Sequence, residues 1–257
     1  DLFVGIAIAH MGAWPSLALP WLLIPASLGV YHGAMALNDW VDREDDARTR
    51  PDRPIPSGAI PAELALCISL ILLTGGLMWA FAAGVYAGVW MLAVAALAVL
   101  YDLVGRGPLL GPTLLGLCRA GNLGAGLMSP WLVGSIEQPR LELLWLAVLY
   151  GAHVFFISKL GRLEDDEDDA PLASRPTNAL RGIAITRLLI PVVGLAVLGA
   201  NADGGGPSVK LSGGLVLAAG LAARGGYLTL STMAAGAEAG WTRASVGRAT
   251  GQSLRGL

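Results

Sequence analysis

The sequence has little charge and no excess of positive charge. Only 14% of its 257 residues are Asp, Glu, Lys or Arg, and none of these four residue types occurs from Leu2 to Leu37. The formal net charge is -2, so the chain lacks the positive field with which proteins attract nucleic acid. We therefore expect no nucleic acid among its partners.

Cysteine and histidine are scarce as well. The two cysteines, Cys67 and Cys118, lie in apolar runs far apart in the sequence, without the spacing of a metal site. The three histidines, His10, His32 and His153, are scattered, and we expect them to be satisfied polar groups within helices. The sequence thus offers no set of cysteines and histidines that would bind zinc.

Apolar residues make up 54% of the chain and occur in long runs without charge. A helix that crosses a bilayer needs about 20 apolar residues, and a run such as Leu64–Tyr101 is long enough for two helices that fold back on each other. We therefore predict an all-α integral membrane protein, a single polytopic domain over residues 1–257 with about nine transmembrane helices. The expected spans are 1–12, 17–39, 61–82, 85–103, 110–132, 140–161, 178–200, 208–232 and a partial one from 242. Both termini begin or end inside such segments, and we expect them to be truncated.

Positive charge is distributed unevenly among the predicted connections. Thirteen of the 17 Lys and Arg residues lie in every second connection, at 38–60, 101–109, 159–187 and 224–248. Because cytoplasmic loops carry the excess of Lys and Arg, we assign these connections to the cytoplasm. The two Asp-rich segments, 38–60 and 159–178, are therefore expected on the same, cytoplasmic side of the membrane.

The first Asp-rich segment opens with NDWVDREDD. Its Asp39, Asp42 and Asp46 are spaced i, i+3 and i+7, which places three carboxylates on one face if the preceding helix continues. Such a stripe repels itself unless a cation lies among the acids, and oxygen ligands without His or Cys favour a hard cation such as Mg²⁺. With Arg43 and Arg53 beside it, this cation would form a receptor for a diphosphate. The alternative is a solvated charged loop.

The second Asp-rich segment, RLEDDEDD, offers similar carboxylate pairs, such as Asp165 and Asp169 at i and i+4. Lys159 and Arg162 on the preceding helix supply positive charge next to it. Neither segment is an EF-hand, because the central Gly and the closing Glu are missing at the required offsets. We therefore do not expect calcium sensing.

These segments resemble the UbiA superfamily of intramembrane prenyltransferases. The first motif of that family, N-D-x-x-D-x-x-x-D followed by R-P-x-x-S-G, is matched here from Asn38 to Asp46 and by RPIPSG at Arg53–Gly58. Arg43 lies where the family often has a phosphate-binding Arg. The resemblance therefore implies that Asn38, Arg43 and Arg53 bind substrate.

The stretch YDLVGRGPLLGPTLLGLCRAGN is similar to the family's connection into the fifth helix. It contains Arg119 and Asn122 at i and i+3. One interpretation places this pair on the substrate cavity, because a buried Arg needs partners. The other is a polar contact between packed helices.

The second motif departs from the family pattern, D-x-x-x-D followed by a Gly and a Thr. Alignment on Thr177 selects Asp165 and Asp169 as metal ligands, whereas alignment on the preceding helix selects Glu164 and Asp168. The resemblance leaves both registers open. In either register it implies that Lys159 and Arg162 contribute to substrate binding.

The resemblance covers nearly the whole chain and implies nine transmembrane helices around a central cavity, with a cytoplasmic cap over the two Asp motifs. It implies Mg²⁺ dependence with two ions, a prenyl diphosphate donor, and transfer of the isoprenyl group within the lipid bilayer to a hydrophobic, often aromatic, acceptor. DLFVGIAIA and the acid-rich second motif resemble, more weakly, the UbiA-like members of ebo-type biosynthetic clusters.

Two other hypotheses remain at this point. A CDP-alcohol phosphotransferase also carries Asp residues at a membrane surface, but DDAR lacks the Gly of that family's motif. A transporter or a cation-binding scaffold that kept the prenyltransferase fold is the non-catalytic alternative.

Overall fold

The computed structural model describes residues 1–10, 18–105, 107–163, 175–200, 220, 224–236, 238 and 240–254. These residues form helices and the turns between them, and contain no β-strand. The chain divides into two compact units, one of residues 1–106 and 117–141 and the other of residues 107–116 and 142–257.

The first unit is built from helices that run through its apolar segments. They are α1 (Leu2–Ala9), α2 (Leu23–Val41), α3 (Arg43–Thr49), α4 (Ala62–Ala83), α5 (Val85–Val104), residues 117–127 of α6 (Leu110–Leu127) and α7 (Ser129–Leu132). A short 3₁₀ turn, Leu19–Leu22, precedes α2.

The second unit contains the remaining helices. They are residues 110–116 of α6, α8 (Leu144–Arg162), α9 (Arg175–Ala200), α10 (224–236) and α11 (Arg243–Leu254). A 3₁₀ turn, Leu141–Leu143, leads into α8.

The long charge-free run of the first unit folds back once, as predicted. It forms α4 and α5, which meet at Gly84. A Cβ atom at Gly84 would lie 2.8 Å from the Leu132 carbonyl oxygen, so the turn requires a residue without a side chain. The predicted bounds of these two helices, 61–82 and 85–103, differ from the observed ones by one residue at most.

Four helical segments in the described part of the chain are long and apolar enough to cross a membrane. They are Ala62–Ala83, Val85–Val104, Leu141–Arg162 and Arg175–Val197. Large apolar side chains on their surfaces are exposed, among them Met78 at 73% and Trp145 at 63%. Such surfaces are stable against lipid rather than water, and the chain is an integral membrane protein. The count of nine spans stays a prediction, because part of 208–232 lies outside the described residues.

Helices α2 and α4 pack closely because small residues line their contact. A Cβ atom on Gly76 would lie 2.8 Å from the Ala26 carbonyl oxygen, and a Cβ atom on Gly29 would lie 2.8 Å from the Gly76 Cα. Ser69 Oγ on α4 donates a 2.8 Å hydrogen bond to the Gly33 carbonyl oxygen on α2. Small residues let membrane helices approach closely enough for such contacts, and α4 thereby fixes the helix that carries the first Asp motif.

The second unit has its own core, in which α8, α9 and α11 meet around Leu160, Ile183 and Val246. Arg187 on α9 is buried and donates hydrogen bonds to the carbonyl oxygens of Gly225 (3.1 Å) and Ser253 (2.5 Å). These bonds tie α9 to α10 and to the last turn of α11. Arg187, which was counted among the basic residues of the predicted cytoplasmic connection 159–187, therefore joins helices inside the second unit.

The contact between α2 and α4 predicts that substitutions at two adjacent glycines differ in their effect on stability. Gly76→Ala should destabilise the protein by about 1–3 kcal/mol, because the added methyl group overpacks the helix contact. Gly75→Ala is the matched control, because a Cβ atom there meets nothing within 4 Å and alanine favours the helix. Thermal unfolding in detergent measures both variants. Equal midpoints would contradict the close contact.

Candidate functional site

The first Asp motif lies where α2 passes into α3. Helix α2 ends at Val41, two residues beyond its predicted end at residue 39, and Asp42 lies between it and α3, which begins at Arg43. The path nevertheless stays helical, because the Asp42 amide donates to the Asn38 carbonyl oxygen (2.9 Å) and the Asp46 amide to the Asp42 carbonyl oxygen (2.8 Å). The spacing argument for the three aspartates thus survives the break.

The Arg53 guanidinium lies between two of the predicted carboxylates. Its Nη1 is 2.7 Å from Asp46 Oδ2 and 3.4 Å from Asp39 Oδ1. Asp46 is only 5% exposed, whereas the Asp39 side chain is more than half exposed. The cation that the stripe of acids requires is, in this structure, an arginine of the same segment.

A compact loop brings Arg53 to this position. The Ser57 amide donates to the Arg53 carbonyl oxygen (2.9 Å), and the Gly58 amide donates to the Ile55 carbonyl oxygen (3.0 Å). Gly58 has φ +76°, in the left-handed region that glycine adopts without strain. The prolines and the glycine of RPIPSG therefore fold the chain back so that Arg53 faces the Asp stripe.

Arg43 is held by Trp40. Its guanidinium carbon lies 4.5 Å from the centre of the Trp40 ring, and its Nη1 donates a 2.7 Å hydrogen bond to the Trp40 carbonyl oxygen. Its Nη2 is 3.4 Å from a carboxylate oxygen of Glu44, and the Glu44 side chain is 77% exposed. The contact is a cation–π interaction that orients Arg43 on the same stretch of chain as the motif.

Asp102 is a buried acid that belongs to neither Asp motif but lies beside the first. It lies near the end of α5, is 5% exposed, and its Oδ2 has no hydrogen-bond partner among the described residues. The Asn38 side chain and Asp42 both lie close enough to interact electrostatically with its carboxyl group. A signal existed in the sequence: Asp102 is a lone acid directly after the charge-free run of α5, where burial of a charge is costly.

Arg119 and Asn122 lie on α6 and contact α2. Asn122 Oδ1 accepts a 2.7 Å hydrogen bond from Ser27 Oγ, which fits the helix-packing interpretation of this residue. The Arg119 guanidinium carbon lies 5.0 Å from the centre of the Tyr31 ring, and Nη1 is 3.1 Å from Asp1 Oδ2. Their role in substrate binding stays a prediction.

Lys159 and Arg162 lie on α8 in the second unit. Lys159 Nζ is 5.9 Å from the centre of the Phe155 ring, and Arg162 Nη1 donates a 3.0 Å hydrogen bond to the Gly107 carbonyl oxygen. The acids predicted to follow them, Glu164, Asp165, Asp168 and Asp169, lie outside the described residues. Neither register of the second motif is therefore tested.

The described residues supply the chemistry of a magnesium site without completing one. Within them, no group of three or more Asp, Glu, His or Cys side chains could hold a metal ion. The first motif offers carboxylate oxygens, which Mg²⁺ prefers, and the buried Asp102 Oδ2 is an acceptor without a partner among these residues. The carboxylates of the first motif are thus of the chemical type that Mg²⁺ prefers.

Comparison with known proteins gives one family. The model of the UbiA prenyltransferase family matches residues 2–244. The chain is 34% identical over 173 residues to the bacteriochlorophyll synthase 33 kDa chain of Cereibacter sphaeroides, covering 61% of this chain and 54% of that protein. It is 30% identical over 209 residues to the digeranylgeranylglyceryl phosphate synthase of Methanopyrus kandleri, covering 76% of this chain and 71% of that protein. The chain thus spans about half the length of the bacteriochlorophyll synthase chain.

Two solved structures share the fold. A digeranylgeranylglyceryl phosphate synthase structure has a TM-score of 0.64 at 16% identity, covering 99% of this chain and 87% of that one. The apo structure of a UbiA homolog from Aeropyrum pernix K1 has a TM-score of 0.59 at 19% identity, covering 99% of this chain and 90% of that one. At these identities the likeness extends to the fold alone.

The Arg53 bridge predicts a local loss of stability. Arg53→Ala leaves the buried Asp46 carboxylate without its guanidinium partner and should destabilise the protein by about 1–3 kcal/mol. Arg50→Ala, at an exposed position of the same loop, is the control and should have little effect. Thermal unfolding in metal-free detergent buffer compares them. If both variants unfold at the same temperature as the wild type, the ion pairs of Arg53 contribute nothing to stability.

Proposed function

Because the chain belongs to the UbiA prenyltransferase family, we propose that it transfers an isoprenyl group from a prenyl diphosphate to a lipophilic acceptor within the membrane. The observation that carries this proposal is the group of Asp39, Arg53 and Asp46 at the end of an apolar helix. It combines carboxylate oxygens, the ligands that Mg²⁺ prefers, and a guanidinium suited to phosphate at one place. A substrate with an anionic head and an apolar tail matches that combination.

The proposed metal ligands are the carboxylates of both Asp motifs. They are Asp39, Asp42 and Asp46 in the first motif, with Asp165 and Asp169, or Glu164 and Asp168, in the second. Two Mg²⁺ ions bound there would neutralise charge on the leaving diphosphate. The metal-binding role of every one of these residues is part of the proposal.

The cationic side chains and Asn38 are proposed to bind the remaining diphosphate oxygens. Arg53 can turn from the carboxylates to a phosphate once a metal ion neutralises the acids, because its guanidinium suits either partner. Arg43 is already oriented by the Trp40 ring. Lys159 and Arg162 are proposed to bind substrate as well.

The chemical step breaks one bond and forms another. The bond between the allylic carbon and the diphosphate oxygen breaks, and its electron pair leaves with the diphosphate. A nucleophilic atom of the acceptor then bonds to the allylic carbon, and a proton bound to that atom is released to a base or to water. Stabilising charge on the leaving diphosphate lowers the barrier to the first of these events.

The finer architecture is proposed on the same basis. Nine transmembrane helices would enclose a cavity for the isoprenoid tail, with a cap over the Asp motifs, and the active site would face the cytoplasm, where the positive-inside bias places these loops. The name of the relative from Methanopyrus kandleri contains two geranylgeranyl groups. Geranylgeranyl diphosphate is therefore the first donor to test.

Diphosphate release tests the proposed reaction. Purified protein given geranylgeranyl diphosphate, a lipid extract as acceptor source and Mg²⁺ should release diphosphate and yield a product heavier by one prenyl unit. Asp39→Asn should lower the rate by about 100-fold or more, because a stabiliser of the leaving group is lost. Asp52→Asn, exposed in the same segment, should retain activity.

Two outcomes would contradict the proposal. Release that persists in Asp39→Asn or without a divalent cation would refute the metal role of the first motif. Absence of release with a full series of prenyl diphosphates, from protein that binds them, would favour a non-catalytic or transport function.

Cysteine labelling tests the orientation of the first motif. In a background with Cys67→Ala and Cys118→Ala, Ser57→Cys should react with a membrane-impermeant maleimide only in inside-out vesicles. Ser135→Cys, in a connection on the opposite side by the charge pattern, should react only in right-side-out vesicles; both serines are exposed. The reverse pattern would place the Asp motif outside the cell.

A further inference from the structure

Asp102 is a buried acid that the family motifs leave without a role. It is 5% exposed and lies in the last turn of α5. The partial negative charge at the end of a helix disfavours a carboxylate there, so helix capping does not explain it. A buried oxygen without a hydrogen-bond partner is also unfavourable, and among the described residues Asp102 Oδ2 has none.

The surroundings of Asp102 connect it to the first Asp motif. The Asn38 side chain and Asp42 both lie within electrostatic range of the Asp102 carboxyl group, because α5 packs against α2. Asn38 on α2 and Asp42, which directly follows that helix, are one helical turn apart and joined by the 2.9 Å hydrogen bond from the Asp42 amide to the Asn38 carbonyl oxygen. A carboxylate on α5 therefore lies beside the first residue of a motif on another helix.

The acceptor on Oδ2 needs a donor that arrives with a ligand. Mg²⁺ usually keeps several of its waters when carboxylates and phosphates bind it. Groups that hydrogen-bond the ligands and waters of a metal ion orient them and raise its affinity. A buried carboxylate beside the motif, whose Oδ2 has no hydrogen-bond partner among the described residues, has the arrangement that this role requires.

We propose that Asp102 is a positioning residue for the metal site of the first motif: it orients Asn38 and accepts a hydrogen bond from a water carried by the bound cation. This inference rests on the metal role assigned under the proposed function. Asp102 itself is not a metal ligand in this proposal. Its effect is exerted through Asn38 and through that water.

Metal affinity tests the inference without any turnover. Mn²⁺ titration followed by electron paramagnetic resonance, with purified protein and no prenyl donor, should show about 10–100-fold weaker binding in Asp102→Leu, as for other residues that support metal ligands. Asp102→Asn keeps one acceptor oxygen for two donors and should lie between Asp102→Leu and the wild type. Thermal unfolding without metal should leave Asp102→Leu at least as stable as the wild type, because an apolar group replaces a buried carboxylate.

A matched control separates this role from a general effect of buried polar groups. Ser129 in the same unit is fully buried, and its Oγ also has no hydrogen-bond partner among the described residues. Ser129→Ala should leave Mn²⁺ affinity unchanged. Asn38→Ala should weaken binding, and adding it to Asp102→Leu should cost less than the sum of the two single changes, because both act partly through one contact.

The outcomes distinguish this inference from the function on which it rests. If Asp39→Asn weakens Mn²⁺ binding but Asp102→Leu does not, the positioning role is refuted and the metal site stands. If Asp102→Leu lowers only the unfolding temperature, Asp102 has a structural role. If the wild type shows no binding that depends on Asp39, the metal site and the role of Asp102 are both refuted. If an effect of Asp102→Leu appears only after an acceptor is added, the donor to Oδ2 comes from the acceptor, and the inference is wrong.

Discussion

Repulsion among carboxylates at the end of an apolar helix is the constraint on which the first unit depends. Asp46 is buried, and Asp39 lies close enough for both to contact Arg53. The loop after α3 folds back and thereby brings Arg53 to the face that carries Asp39 and Asp46. Helix α4 holds α2 through glycine contacts, so that the acids stay at a fixed place. The position of the acids therefore depends both on their ion pairs with Arg53 and on the packing of α2 against α4.

Much of this structure could be predicted from the sequence because its causes are local. The charge-free runs predict α4 and α5 and the turn between them, and the spacing of Asp39, Asp42 and Asp46 follows from helical periodicity. The predicted end of α2 at residue 39 lies two residues before the observed end at Val41, and the separate helix α3 that follows was not predicted. The motif predicts that Arg53 matters. It does not predict that one guanidinium contacts two carboxylates, because that depends on how the RPIPSG loop folds.

Contacts between distant segments account for what the sequence analysis missed. Asp102 meets Asn38 only because α5 packs beside α2, and no pattern within either helix encodes that approach. Asn122 had two interpretations in the sequence, and its bond from Ser27 supports the packing one. Arg187 was counted with the cytoplasmic charge, but it bonds backbone carbonyl groups inside the second unit. In each case the sequence shows that the residue is unusual, but its partner depends on how distant segments pack together.

The two adjacent glycines of α4 illustrate how unequal neighbouring positions can be. Gly76 is enclosed by the backbone of α2, whereas the space around Gly75 is open. A side chain is therefore costly at position 76 and tolerated at position 75. Over evolutionary time we expect position 75 to vary among helix-forming residues and position 76 to stay glycine. In relatives with this helix contact, the first glycine of the pair should therefore be replaced more often than the second.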